Sequence, residues 1–138
     1  METQLALIAD GANISVDGKV NILGEFDTLF AEAVPVRHPG FWFVAKLLLG
    51  GRDVGQKRLM LKLVDEDGNS VVPPLSLRLT IPLPGAEFTG DRWPLPVVLQ
   101  VSSLLLPRFG AYVFELRTDD RVLAEVPLYV RPARGFGH

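Results

Sequence analysis

An all-β fold, an antiparallel sandwich of about eight strands of the immunoglobulin-like or a similar kind, is what this sequence predicts. Three observations carry that prediction. Apolar residues recur at every second position in several separate runs, the spacing of strands with one buried face. Those runs are divided by Asp, Asn and Gly clusters with the chemistry of tight turns. With 13 glycines and 11 prolines in 138 residues, the chain is interrupted too often for long helices. Strands without intervening helices favour an antiparallel sandwich over a parallel α/β sheet, and a small closed barrel stands as the alternative because alternation alone does not show closure.

In chain order, Ile14, Val16, Val20 and Ile22 frame the turn Asp17-Gly18 and form the first hairpin. Gly24 interrupts its returning strand and marks a bulge. Residues 26–34 are the one helical candidate, since Leu29, Phe30 and Ala33 have helical spacing, with strand continuation equally compatible. Residues 41–49 are apolar on both faces except Lys46, which predicts a central strand covered on both sides. Leu59, Leu61 and Leu63 alternate with Met60, Lys62 and Val64 before the turn Asp65-Glu66-Asp67-Gly68-Asn69. Leu75, Leu77, Leu79 and Ile81 then form the neighbouring antiparallel strand, its register left open by Pro73-Pro74. Val97, Leu99 and Val101 make one more strand, ended by Pro107 and Gly110. Tyr112, Phe114 and Leu116 share one face of a strand that turns through residues 118–121 into a last strand at 122–130. Pro127 cannot donate to a ladder, which assigns that last strand to a sheet edge or a bulge.

One domain over residues 1–130 follows from the length, with residues 131–138 as a loose basic tail carrying Arg131 and Arg134. The 48% hydrophobic content supports an ordinary core and argues against wholesale disorder. There is no cysteine, which excludes disulfide scaffolds, thiol catalysis, zinc ribbons and iron-sulfur clusters. Lys and Arg total 14 against 16 for Asp and Glu, no footprint for a nucleic-acid backbone. No apolar run approaches a membrane span, and residues 1–9 lack an export signal's basic and apolar regions, so the expected location is cytoplasmic.

The chemistry-bearing residues are sparse. His38 and His138 are the only histidines, no serine stands in a Gly-x-Ser-x-Gly elbow, and neither a hydrolytic triad nor a histidine zinc site can be assembled. Residues 50–52 have neither Walker nor Rossmann spacing. The turn at 65–69 resembles a calcium loop without its closing glutamate, and Asp119 and Asp120 are its candidate partners at a strand end. Asp-Gly turn chemistry explains the same residues without a metal. Residues 82–96 form the longest non-periodic stretch, and two readings of its aromatics compete. Phe88 and Trp93 fold back as a lid on the sandwich, or Arg92 and Trp93, with Phe88, anchor a partner, because Trp and Arg dominate interface hot spots.

The opening Ile8-Ala9-Asp10-Gly11-Ala12-Asn13-Ile14-Ser15-Val16-Asp17-Gly18-Lys19-Val20-Asn21-Ile22-Leu23-Gly24-Glu25-Phe26-Asp27 resembles the start of a family of small uncharacterised bacterial proteins, a domain of unknown function. His38-Pro39, the stretch from Leu63 to Gly68, the stretch from Pro107 to Phe114 and Glu125-Val126-Pro127-Leu128 fit the same pattern. The resemblance implies a stand-alone β-sandwich and transfers no activity and no catalytic residue. Gly11 and Gly24 are read as backbone positions that a side chain would forbid, with Asp10, Asn13 and Asp27 bonding nearby main chain.

No activity is assigned by these residues. The leading expectation is a non-enzymatic interaction or structural module, without cofactor or metal, whose partner is another protein or a second copy joined through a sheet edge. The alternative is a small-ligand or calcium-dependent lipid-binding sandwich that uses the acidic turns.

Overall fold

The computed structural model describes residues 1–85 and 90–133. Nine strands follow in order: β1 (Glu2–Ile14), β2 (Val20–Phe26), β3 (Thr28–Ala31), β4 (Val36–Gly50), β5 (Gly55–Val64), β6 (Leu75–Ile81), β7 (Arg92–Leu106), β8 (Gly110–Arg117) and β9 (Val122–Pro132). A short 3-10 turn, Gly51–Asp53, joins β4 to β5. A four-stranded sheet in the order β2-β1-β4-β7 lies against a five-stranded sheet in the order β3-β9-β8-β5-β6. Two separate sheets make this a sandwich and not a closed barrel. No helix of the described residues is long and apolar enough to cross a membrane.

Alternation decides which side chains meet. Phe41, Phe43, Leu47 and Leu49 of β4 face Leu59, Leu63, Phe114, Leu116 and Leu128 of the other sheet, and the buried cluster they form runs the length of the molecule. Edge-to-face rings lock its centre, with Phe41 and Phe114 centroids 5.8 Å apart. At the start of β8 the buried Tyr112 hydroxyl donates to the Arg108 carbonyl at 2.7 Å and accepts from the Arg108 amide at 3.0 Å. This corner ties the β7–β8 connection to the core, as tyrosine corners do in Greek-key sandwiches.

Several expectations are corrected. The strand count agrees with the expectation of about eight, β3 being the ninth, and β1 is longer than the hairpin arm expected because it starts at Glu2. Its first half places apolar residues on both faces, so no alternation marks it. Residues 28–31 are a strand and not a helix: β3 runs parallel to β9, with Leu29 opposite Val130, which leaves the sandwich not wholly antiparallel. The non-periodic stretch 82–96 is shortened, since β7 begins at Arg92. Pro94 and Pro96 hide that strand in the sequence, and they are tolerated because β7 is a sheet edge. Strand β9 lies inside its sheet, yet β3 flanks it only from Tyr129 onward, so Pro127 sits where β8 is its one neighbour. Arg131 and Pro132 belong to β9 and not to a tail, while residues 134–138 lie outside the described residues.

Candidate functional site

Of the residues singled out as an anchor, Arg92 and Trp93 do not share a surface. Phe88 lies outside the described residues. Arg92 and Trp93 are consecutive in β7, so the pleat sends them to opposite faces. Trp93 lies opposite Leu49, is 8% exposed and packs in the core. Its burial removes it as an exposed anchor and gives it the weight of a core residue. Arg92 stays in solvent and pairs with Glu2 at 2.8 Å. The hydrogen bond and charge of that pair hold the Glu2 carboxyl below its ordinary value and raise Arg92 above its own.

Arg92 lines an open cleft of about 1380 Å³ at one end of the sandwich, together with the 3-10 turn, the first residues of β5, the last of β6 and the turn at 118–121. Its charges are mixed: Arg52, Lys57, Arg78 and Arg121 stand among Asp53, Asp91, Asp119 and Asp120. Asp53, 9% exposed, organises the floor. It accepts the Gly50 amide at 2.8 Å and stands 3.2 Å from the Met1 amino group. Burial opposes its ionisation, but the Gly50 N–H and the Met1 amino group outweigh that cost and hold its carboxyl below the usual range.

The acidic turn at the opposite end is engaged in holding the fold. Asp65 accepts the amides of Asp67 at 2.9 Å and Asn69 at 3.0 Å and pairs with Arg108 at 2.9 Å. Glu66 accepts the Ala111 amide at 2.9 Å. Asp119 and Asp120 lie beyond the far end of the eight-residue β8, about 25 Å away at the usual rise per residue, so the two acidic turns cannot pool ligands on one ion. Asp120 accepts the Thr118 hydroxyl instead, and Asp119 faces Arg58 at 3.9 Å.

His38 is also engaged. Its Nδ1 accepts the Gly40 amide at 3.0 Å, and its ring packs on Phe26 and Phe41. Burial is the main influence on it and lowers its pKa, with the nearby Asp10 carboxylate opposing. The glycine of the opening motif has a physical reason: Gly24 has φ +73°, and a Cβ there would lie 2.7 Å from Asp10 Oδ2. Asp10 lies across the β1–β2 pair from it, so the two positions constrain each other.

The outer faces of the two sheets differ in kind. On the five-stranded sheet, Lys62 stands opposite Glu115, Glu115 opposite Glu125, and Arg117 pairs with Glu115 at 3.3 Å. That is a solvated face. On the four-stranded sheet the outward positions include Leu5, Leu7 and Ala9 of β1, Trp42, Val44 and Leu48 of β4, Val98 of β7 and Leu23 of β2, with Glu2, Glu25, Lys46 and Gln100 as polar members of the same face. Ala9 and Val44 are 0% exposed although neither belongs to the core between the sheets, so their outward neighbours roof them. Leu23 projects over Gly11 and is 74% exposed. Leu5, 36% exposed, and Leu23 are the exposed large apolar residues of this face. In the sequence the face appears as the two-faced apolar character of residues 41–49, which was legible, and as Leu5, Leu7 and Leu23, which nothing in the spacing separated from core residues.

No curated protein matches the chain. Two solved structures of a glycosyl hydrolase family 2 member from Bacteroides cellulosilyticus show some likeness. One, from strain DSM 14838, is 17% identical with a TM-score of 0.34 over 68% of this chain and 13% of that one. The other, from microfluidic crystals, is 18% identical with a TM-score of 0.35 over 67% of this chain and 12% of that one. This chain thus spans a small fraction of either enzyme. The family that matches, over residues 4–131, is described as a family of unknown function, and the chain belongs to it: DUF6941.

Proposed function

We propose that the protein is a non-catalytic interaction module whose docking surface is the outer face of the four-stranded sheet. One observation carries this reading: that face presents Leu5, Leu7, Leu23, Trp42 and Leu48 outward around Glu25 and Lys46, whereas the centre of the equivalent face of the other sheet carries Lys62, Glu115, Arg117 and Glu125. Burying such apolar surface is the main driving force of protein association. The non-catalytic part is supported by the engagement of His38, Asp65 and Glu66 in bonds that hold the fold. A photo-crosslinking amino acid at position 23, introduced in the native cell, tests the reading. Adducts with another polypeptide at position 23, and none from a control at Glu125 on the charged face, are expected. Equal yields at the two positions, or none at either, would remove it.

A second reading, binding of a small anionic ligand, is supported by the end cleft, where Arg52 and Arg78 have no ion-pair partner among the described residues. A thermal-shift series with phosphate and dicarboxylates tests it: a rise in melting temperature abolished by Arg78→Gln is expected, and no rise with any of them excludes it.

A further inference from the structure

We infer that the partner of this face is a second copy of the chain, docked about a two-fold axis over Leu7; the inference rests on the reading that the face is a docking surface. Strand register supplies the argument. Leu7 lies opposite Val44, Leu5 opposite Lys46, and Ala9 opposite both Trp42 and Glu25. Glu25 therefore stands one strand to one side of Leu7 and one same-face step along the sheet. Lys46 stands one strand to the other side and one same-face step back.

At a strand spacing of about 4.8 Å and a same-face step of about 6.8 Å, each charge is roughly 8 Å from Leu7, in opposite directions. Leu7 marks their midpoint. Neither Glu25 nor Lys46 has an ion-pair partner among the described residues. A two-fold axis in the plane of contact, passing over Leu7 and perpendicular to the line between the charges, sets each Glu25 on the Lys46 of the other copy. The same operation stacks Leu7 on Leu7 and brings Trp42 over the partner copy's β4 and β7, so apolar side chains meet at the centre and both charges are neutralised at once. Such self-complementarity is what an isologous interface requires, and a different protein would need to supply it afresh.

The size of the face sets the strength. Four strands are about 19 Å wide, and the rows from Leu48 to Leu23 extend about 27 Å, a flat footprint of roughly 500 Å² for each copy. That lies at the small end of specific interfaces, so a weak dimer is expected.

Sedimentation velocity of the full chain over about 1–500 µM tests this, with a concentration-dependent shift from monomer to dimer expected. Each charge reversal breaks two symmetry-related pairs, so Glu25→Lys and Lys46→Glu should each weaken the dimer about tenfold, and the double variant should return to within about threefold of wild type. Single reversals without effect, or a double variant no better than the singles, would overturn the proposal. A wild type that stays monomeric also overturns it, and the crosslinks at position 23 then separate the two failures. Adducts with a different protein leave the docking face standing with another occupant; no adducts remove the face as well.

Discussion

Gly24→Ala isolates the constraint behind the opening motif. Alanine at φ +73° enters the left-handed region, at a cost of about 1–2 kcal/mol for an L side chain. Its Cβ would also stand 2.7 Å from Asp10 Oδ2, 3.1 Å from Asp10 Cβ and 3.2 Å from Asp10 Cγ. The carboxylate oxygen can rotate away, but the Asp10 Cβ is fixed to the β1 backbone, so about 1 kcal/mol of crowding persists. The expected total is about 2–3 kcal/mol, or roughly 6–12 °C of melting temperature for a domain of this size. Urea unfolding of four proteins measures it: wild type, Gly24→Ala, Asp10→Gly and the double variant. Asp10→Gly removes the crowding and leaves the backbone strain, so the double variant should be about 1 kcal/mol less destabilised than the two single changes summed. A Gly24→Ala protein within about 0.5 kcal/mol of wild type would refute the whole account, and strict additivity would refute the part assigned to Asp10.

Trp93→Ala should cost about 3–5 kcal/mol in urea unfolding, the loss of a core indole, and a loss below about 1 kcal/mol would mean that the ring is not buried against Leu49. Tyr112→Phe removes the hydroxyl that the Arg108 main chain both donates to and accepts from, and should cost about 1–2 kcal/mol with little change in the far-ultraviolet spectrum. The Asp53 carboxyl is held below its usual range, so the unfolded chain binds its proton more readily than the folded one. Its stabilisation is present in full above pH of about 4 and is lost as pH falls further through the folded value, and Asp53→Asn should flatten that acid limb of a melting series. His38 is depressed by burial, so the same sign holds at higher pH: melting temperature should fall as pH drops below about 6.5, and His38→Gln should remove that slope.

Legibility followed the strength of alternation. Strands β5, β6, β8 and β9 were readable because each has one buried and one solvated face, and the β5–β6 and β8–β9 pairs form as expected. Where both faces are apolar, as in the first half of β1, or where prolines interrupt an edge, as in β7, the period-two signal disappears and the strand merges with its surroundings. The short β3 was unreadable for another reason: four residues held by pairing to a segment a hundred positions away leave no local trace. The pairing of Arg92 with Trp93 failed on parity, because placing the two in a loop allowed them a common surface that a strand denies.

Strand parity also sets the character of the four-stranded sheet. In β4 the alternate residues Trp42, Val44 and Leu48 face away from the core, yet Val44 is as dry as Phe43 beside it. Folding of the sandwich needs only one of these two faces to be apolar, and β5 and β8 show that this chain supplies Lys62, Glu115 and Arg117 where a face meets water. Apolar residues on the outward side of β1 and β4 therefore serve something other than the intersheet core. Leu7→Lys separates the two demands. It leaves Ile8 and Ala6 in place on the inner face, so unfolding free energy should change by no more than about 1 kcal/mol, while any association through this face should be abolished. Loss of folding on that substitution would show that the outer face is needed by the monomer itself, and the docking argument would lose its basis.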